Sequence, residues 1–464
     1  MSLPVDEAEV LFKQGNQRLA SGDLAGAEDC YARVLALAPE QGAALANLAW
    51  LKEQGGALEA AEALYRRAVA ALPEHAQLHR NFGVLLWTRK RFGEAELVGR
   101  RAIELAPRSA AGWSNLGVLL ACVRREAEAE QCHRRAIALD ADYAKARYNL
   151  AYLLLRQGRW SEGWPLLDLR WQFDATIHRF DCPRWNGEPL AGKAIVIGFE
   201  AGHGDMIHFC RYAACVKALG AARVAVVCQP GLTTLFQTLA GVDQVYGADD
   251  DVPADGWDFW TLPMGLPKFF DTRIDHVHAP IPYLSADSAL TRTWSAALPR
   301  HGLRVGLAWK GNPNFENDGD RSLPSLQTLA PLGAVAGVRF VSLQKGPGEA
   351  EAEQPPRGMD LYPAAAGLTD FAATAALIAS LDLVISVDTA VAHLAGALGK
   401  PCWLLLPDYR TDWRWLSGRA DTPWYPQMRL FRQRAGAIDS GGWDAVIADV
   451  AAALALTARA APAA

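Results

Sequence analysis

A period of 34 residues runs through the first third of the chain and restricts what that third can fold into. Adding 34 repeatedly to Gly15 gives Ala49, Gly83, Gly117 and Ala151; from Ala27 it gives Ala61, Ala95, Ala129 and Gly163; from Pro39 it gives Pro73, Pro107 and Ala141. Small residues at two fixed places let a pair of helices cross closely. The proline then ends the second helix, since it lacks an N–H and crowds the preceding turn. Such a helix pair cannot bury its apolar stripe alone and must stack on copies of itself, so the expected fold is an α-solenoid of four full units and a partial fifth over residues 1–170.

A fourth series, Asn47, Asn81, Asn115 and Asn149, falls on the first helix of successive units, with Lys13 in that place in the first. Asparagine is a mediocre helix former, so its return at one position points to use of its amide, which donates two hydrogen bonds and accepts at its carbonyl. Period and pattern resemble tetratricopeptide repeats. In the repeat superhelix of protein O-linked N-acetylglucosamine transferase, asparagines at the matching place clasp an extended peptide, and the resemblance implies that these four bind an acceptor protein or peptide. An asparagine bonded only to a neighbouring turn is the alternative.

The remaining length allows further domains, and the bulk charge limits their partners. With 46 basic and 51 acidic side chains the net charge is −5, which leaves no polyanion-binding excess, so no nucleic acid is expected. Asp6, Glu7 and Glu9 stand where an export leader needs basic and apolar residues, and the most apolar stretch, 371–398, is broken by Asp382, Asp388 and His393. No membrane insertion and a cytoplasmic location are expected. The eight cysteines show no C-x-x-C spacing and read as buried thiols.

An aromatic junction at 171–193, with Trp171, Phe173, Phe180, Pro183, Trp185 and Pro189, would be costly to leave in water and is expected to be packed. Beyond it, apolar runs at 194–199, 223–228 and 257–262 alternate with helical patterns at 206–219 and 231–240. A second set of strands follows at 304–309, 338–343, 383–387, 402–406 and 428–431. This alternation predicts two Rossmann-like α/β halves, 194–290 and 300–464, with a boundary near 287–302. Such a pair resembles the glycosyltransferase B (GT-B) architecture, which implies an acceptor on the first half and a nucleotide sugar on the second.

Two strand-to-helix turns carry the chemistry. The first, Glu200-Ala201-Gly202-His203-Gly204-Asp205, frees the backbone at its glycines and sets Asp205 at a helix start, where it can also act as a simple cap. Gly204-Asp205 followed by Ile207 and His208 is similar to the first motif of bacterial lipopolysaccharide heptosyltransferases. That resemblance implies that Asp205 is the catalytic base with His208 as a second catalytic candidate; His203 departs from the Gly-Leu-Gly-Asp commoner in related proteins.

The second turn, from Asp382 through Asp388-Thr389-Ala390 to His393, Gly396, Gly399 and Pro401, resembles the heptosyltransferase signature and implies that Asp388, Thr389 and His393 meet the nucleotide sugar. A helix amino terminus there also offers N–H groups and a positive dipole end to phosphate. Lys310, Arg321 and Lys345, each after a strand of the second half, are the cations that could stabilise a departing nucleoside diphosphate. The Asp249-Asp250-Asp251 run reads as a solvated loop, so neither metal nor cofactor is expected. The aromatic segments 408–415 and 424–426 suit either stacking on bases and sugars or anchoring the two halves.

The expected function is therefore inverting, metal-independent transfer of a sugar from a nucleotide sugar to an acceptor, a protein hydroxyl presented by the repeats. The resemblance extends to proteins linked to glycosylation of flagellin and other surface proteins. Two alternatives stay open: a lipopolysaccharide-type heptosyl or sugar transferase whose repeats only recruit partners, and a non-catalytic scaffold with a degenerate sugar-binding module.

Overall fold

A computed structural model describes residues 4–172, 180–278, 280–434 and 442–460. The chain divides into two compact units, Met1–Leu153 and Leu154–Ala464.

The first unit is a run of antiparallel helix pairs: α1 (Pro4–Ala20) with α2 (Leu24–Leu37), α3 (Gly42–Gln54) with α4 (Leu58–Ala71), α5 (Ala76–Thr88) with α6 (Phe92–Leu105), and α7 (Ala110–Cys122) with α8 (Glu126–Leu139), followed by α9 (Ala144–Arg156). The small-residue series explains the pairing. A Cβ on Gly15 would stand 2.7 Å from the Tyr31 ring, and one on Gly117 2.6 Å from His133, so the first helix needs glycine to lie under the large side chain of the second. Ala27, Ala61, Ala95 and Ala129 are all buried at the same crossings, and Pro39, Pro73 and Pro107 directly follow the last residues of α2, α4 and α6 or their caps. Polar contacts repeat with the same period: buried Glu62 pairs with Arg66 and Arg91, and Glu96, one unit on, with Arg100 and Arg125.

The second unit begins with α10 (Trp160–Asp168), the helix that the repeat pattern assigns to the partial fifth unit. Its large side chains pack within this second unit. Trp160 stacks on Trp424 with centroids 4.6 Å apart, Trp164 meets Trp413 edge-on at 5.4 Å, and the Trp164 indole N–H donates to the Thr272 carbonyl at 2.9 Å. The aromatic junction is packed as well: Trp171 and Phe180 lie against Trp260, and Trp185 is buried against Phe269. Phe173 lies outside the described residues.

The first sheet is parallel, with β1 (Ala194–Ile197), β2 (Arg223–Cys228), β3 (Gln244–Gly247) and β4 (Phe259–Thr261) in the order β3-β2-β1-β4. The helical pattern over 206–219 breaks at Cys210 and Arg211 into α11 (His203–Phe209) and α12 (Tyr212–Ala218), and that at 231–240 keeps only one α-helical turn, α13 (Thr233–Phe236). The expected boundary at 287–302 is filled largely by α14 (Ser288–Ala297). Its Ser295 and Thr291 hydrogen-bond with Ser380, so α14 belongs to the second half.

The second sheet is also parallel: β5 (Leu303–Ala308), β6 (Val338–Ser342), β7 (Leu361–Pro363), β8 (Leu383–Val387), β9 (Cys402–Leu406) and β10 (Met428–Arg432), in the order β10-β9-β8-β5-β6-β7. A short turn α15 (Asp318–Arg321) follows β5, α16 (Phe371–Ala379) precedes β8, α17 (Ala390–Ala397) follows it, and α18 (Asp444–Ala460) closes the half. In both sheets the chain builds outward on one side of the first strand and then returns to the other side. Order therefore reverses between β1 and β4, and between β5 and β8, which opens a crevice at the carboxyl ends of those strands.

Because Trp160 is buried in the second unit, Trp160→Ala should remove about 3–5 kcal/mol from that unit. A urea titration followed by tryptophan fluorescence should show an earlier transition there, with the helical signal of the repeats unmoved. An unchanged midpoint would mean that α10 behaves as one more repeat.

Candidate active site

Both crevices carry the residues singled out in the sequence. The loop after β1 is held by a buried charge pair, in which the Arg170 guanidinium forks onto both carboxylate oxygens of Glu200 (Nε–Oε2 2.8 Å). Glu200 also accepts from the Met264 N–H after β4 at 2.8 Å, so one carboxylate ties both sides of the first crevice together. Ala201 takes a positive φ of 56°, and Gln229 donates to its carbonyl at 3.0 Å. These contacts fix the turn that delivers Asp205.

Asp205 does two things at once. Its Oδ2 accepts from the Gly202 N–H at 2.9 Å, the capping role that its position allowed, and its Oδ1 receives the Arg414 guanidinium. Arg414 is buried against Phe209 and Trp413, forks onto Asp412 at 3.0 Å, and comes from the loop after β9 in the other half. About a quarter of the Asp205 side chain stays accessible (26%), and a carboxylate oxygen accepting one hydrogen bond keeps a second lone pair.

The two halves meet where α11 and α17 begin. A Cβ on Gly204 would lie 3.0 Å from the His393 ring and 3.5 Å from the Ala390 Cα, so only glycine permits this approach. Asp205, Asp388, Thr389 and His393 are thereby gathered at one place. Asp388 accepts from the Trp415 indole N–H at 2.8 Å and faces His393 Nε2 at 4.0 Å. Burial, with Asp412 nearby, pushes the Asp388 carboxyl up to about 6, against the pull of Trp415, Arg321 and Arg414. The Thr389 hydroxyl meets that of Ser386 at 3.2 Å, and its carbonyl starts α17.

A hydroxyl network links the two imidazoles. Tyr283 donates to the Ile207 carbonyl at 3.0 Å, so its oxygen accepts from Arg211 at 3.1 Å and from Tyr425 at 3.3 Å. The Tyr425 hydroxyl also hydrogen-bonds Nδ1 of His208 at 2.9 Å and Nδ1 of His393 at 3.1 Å. Burial first, then Arg211 and Arg414, holds both rings neutral, well below the usual histidine range. The Nε2 atom of His393 is turned toward Asp388. His208, the second catalytic candidate, is fully buried beside Phe209 and Trp424 and meets the site through Tyr425 and, edge to face, through the His393 ring, with centroids 5.1 Å apart.

The three candidate cations have different surroundings. Arg321 follows β5, is held by Asp318 at 3.1 Å and covers the Phe315 ring; a Cβ on Gly311 would reach within 2.7 Å of its guanidinium, and its charge is felt by Asp388 and His393. Lys310 is instead held by Glu351 at 3.1 Å, and Lys345 by Glu349 at 3.2 Å and the Ala365 carbonyl at 3.1 Å. Trp413, Trp415, Trp424 and Tyr425 are buried, so these aromatics join the halves rather than offering open faces to a base. Arg211, Arg414 and Tyr425 were not picked out by sequence reasoning. The signal available was Arg414 two residues after Asp412 inside the aromatic run 408–415, and Tyr425 inside the run 424–426.

The repeat asparagines are all half-buried. Asn47 donates to Asn16 and to the Tyr31 hydroxyl, both at 3.1 Å, and Asn149 donates to Ser114 at 3.3 Å, so these two amides serve the preceding repeat. The side chains of Asn81 and Asn115 have no such bond to a described residue.

Comparison with known proteins follows this layout. Residues 333–405 match the model of glycosyltransferase family 9 (heptosyltransferase), and residues 12–74 and 59–110 match the tetratricopeptide repeat. Protein FlbA of Caulobacter vibrioides is 30% identical over 335 residues, which cover 66% of this chain and 54% of the relative. The chain thus spans about half the length of the curated relative that it matches. Among solved structures, PilF of Pseudomonas aeruginosa overlaps 35% of this chain and 76% of its own at 23% identity and a TM-score of 0.32. YrrB, described as a repeat protein with an unusual peptide-binding site, overlaps 36% and 87% at 20% identity and the same TM-score. No described helix is long and apolar enough to cross a membrane. The chain thus carries amino-terminal tetratricopeptide repeats and, at residues 333–405, a segment that matches glycosyltransferase family 9 (heptosyltransferase).

Proposed function

We propose that the chain transfers a sugar, with inversion and without a metal, from a nucleotide sugar to a protein hydroxyl. The observation that carries this reading is the meeting of Asp205 with Asp388, Thr389 and His393 at the mouths of two parallel-sheet crevices. Asp205 removes the proton of the acceptor hydroxyl as its oxygen attacks the anomeric carbon. The bond from that carbon to the phosphate oxygen breaks, and the nucleoside diphosphate leaves with the electron pair. Its growing charge is met by the free N–H groups at the start of α17, the Thr389 hydroxyl and Arg321. Lys310 and Lys345 join them where their glutamates release them.

Asp388 and His393 are suited to sugar hydroxyls rather than to phosphate. A carboxylate repels a phosphate, whereas the Asp388 carboxyl and a neutral His393 imidazole 4.0 Å away can each hydrogen-bond a hydroxyl. His208, through Tyr425, acts as a positioning residue for His393. A protein acceptor is favoured by the repeat array, where Asn81 and Asn115 keep their amides for a partner.

Asp205→Asn keeps an acceptor for the Gly202 N–H but cannot take a proton. Turnover should fall roughly 10²–10⁴-fold while binding of the nucleotide sugar persists. Wild-type turnover in this variant would remove Asp205 from the mechanism. Transfer should also continue undiminished in EDTA, because arginine and helix N–H groups carry the phosphate charge; activity restored only by a divalent cation would refute that part.

The folded chain holds the Asp388 proton more tightly than the unfolded chain, so stability is lost as pH rises from the ordinary aspartate value of 3.8 through the folded value of about 6, and the loss is constant above it. Asp388→Asn removes the cost. Its stability advantage over wild type should grow between about pH 4 and pH 7 and then level off at roughly 2–3 kcal/mol. Urea titrations at several pH values read this directly, and a pH-independent difference would show that Asp388 is not raised.

A further inference from the structure

One position in the repeats breaks the packing rule that the others obey. Tyr31, Tyr65, Gly99 and His133 are spaced by 34, on the second helix of successive pairs. The two tyrosines and the histidine are buried, with 0–1% exposure, and Tyr31 and His133 lie directly over Gly15 and Gly117 of the facing first helix. In the third pair that space has no ring. The nearest atoms to a Cβ on Gly83 are the Ala95 carbonyl at 3.6 Å and the Gly99 backbone at 3.7 Å.

A recess open on one side remains where the ring would be. Arg80, Val84 and Trp87 of α5 form one wall and Asn115 of α7 the other, with Gly83 and Gly99 beneath. Arg80, Val84 and Trp87 recur at helical spacing, so one stripe of α5 borders it. Neighbouring arginines are engaged, Arg66 and Arg91 with Glu62 and Glu94, Arg101 with Glu74, and Arg125 with Glu96. Arg80 pairs with no carboxylate among the described residues.

We propose that this recess takes a large apolar side chain, aromatic or branched, from an extended partner polypeptide, with an acidic residue of that polypeptide on Arg80 and its backbone on the Asn115 amide. The missing ring sets the size of the guest, and the unpaired guanidinium sets the charge beside it. The inference rests on reading the repeats as a polypeptide-binding surface, and not on the transfer chemistry.

Gly99→Tyr restores the ring of the sister repeats. A Cβ at this position meets only Leu116 Cδ1, at 3.8 Å, so the variant should fold with a Tm no lower than wild type. A random peptide library displayed on phage, panned on the full chain, should enrich sequences with a large apolar residue next to Asp or Glu. The selected peptides should bind Gly99→Tyr at least tenfold more weakly, while Arg80→Glu should shift the selection toward Lys or Arg at the acidic place. Equal binding to Gly99→Tyr, enrichment without an apolar residue, or no enrichment at all overturns the proposal. Nucleotide-sugar binding, measured separately on the same variants, should be unchanged, so loss of the peptide site and failure of the transferase reading are told apart.

Discussion

The second unit depends on how closely two helix starts can approach. Gly204 and Ala390 have almost no side chain between them, and this lets loops from two separate sheets share one set of contacts. A larger residue at 204 would push His393 away, open the Asp205–Arg414 pair and lengthen both bonds to the Tyr425 hydroxyl. The charges around this point are not paired one to one. Arg414 lies between Asp205 and Asp412, and Arg211 is held by the His208 and Trp424 carbonyls and by aromatic rings. Each cation has its donors used in fixed directions, and the buried arrangement gains its rigidity from that.

Much of this was legible in the sequence because it is local. The repeat period depends on contacts within one 34-residue unit, and the strand-turn-helix motifs place Asp205, Asp388 and Thr389 at strand ends whatever the rest of the chain does. Two strands escaped. β3 is a four-residue edge strand and β7 a three-residue one ending in Pro363, both too short to show an alternating pattern. The partners of the site also escaped. Arg414 is 209 residues from Asp205, and Tyr425 is 217 from His208, so no spacing rule could join them. His208 looked like a reactant from its neighbourhood in sequence, while its complete burial and its contacts with Tyr425 and His393 arise from residues far along the chain.

Asn47 and Asn149 show the same limit on a smaller scale. The ladder is regular in sequence, yet the hydroxyl of Tyr31 and that of Ser114 happen to stand within reach of two members and not of the others. Regular spacing predicts a shared position on the helix, while the neighbours, which differ from repeat to repeat, decide what the amide does there.

The placement of α10 has a consequence for how such a chain can change. Trp160 and Trp164 are committed to the same core as Trp413 and Trp424, so the last helix that looks like a repeat is no longer an exchangeable part. A helix pair added or removed upstream of Leu153 would alter the first unit and leave the tryptophan core of the second as it is. Two tryptophans, rather than the end of the repeat pattern, thus set where exchangeable helix pairs stop.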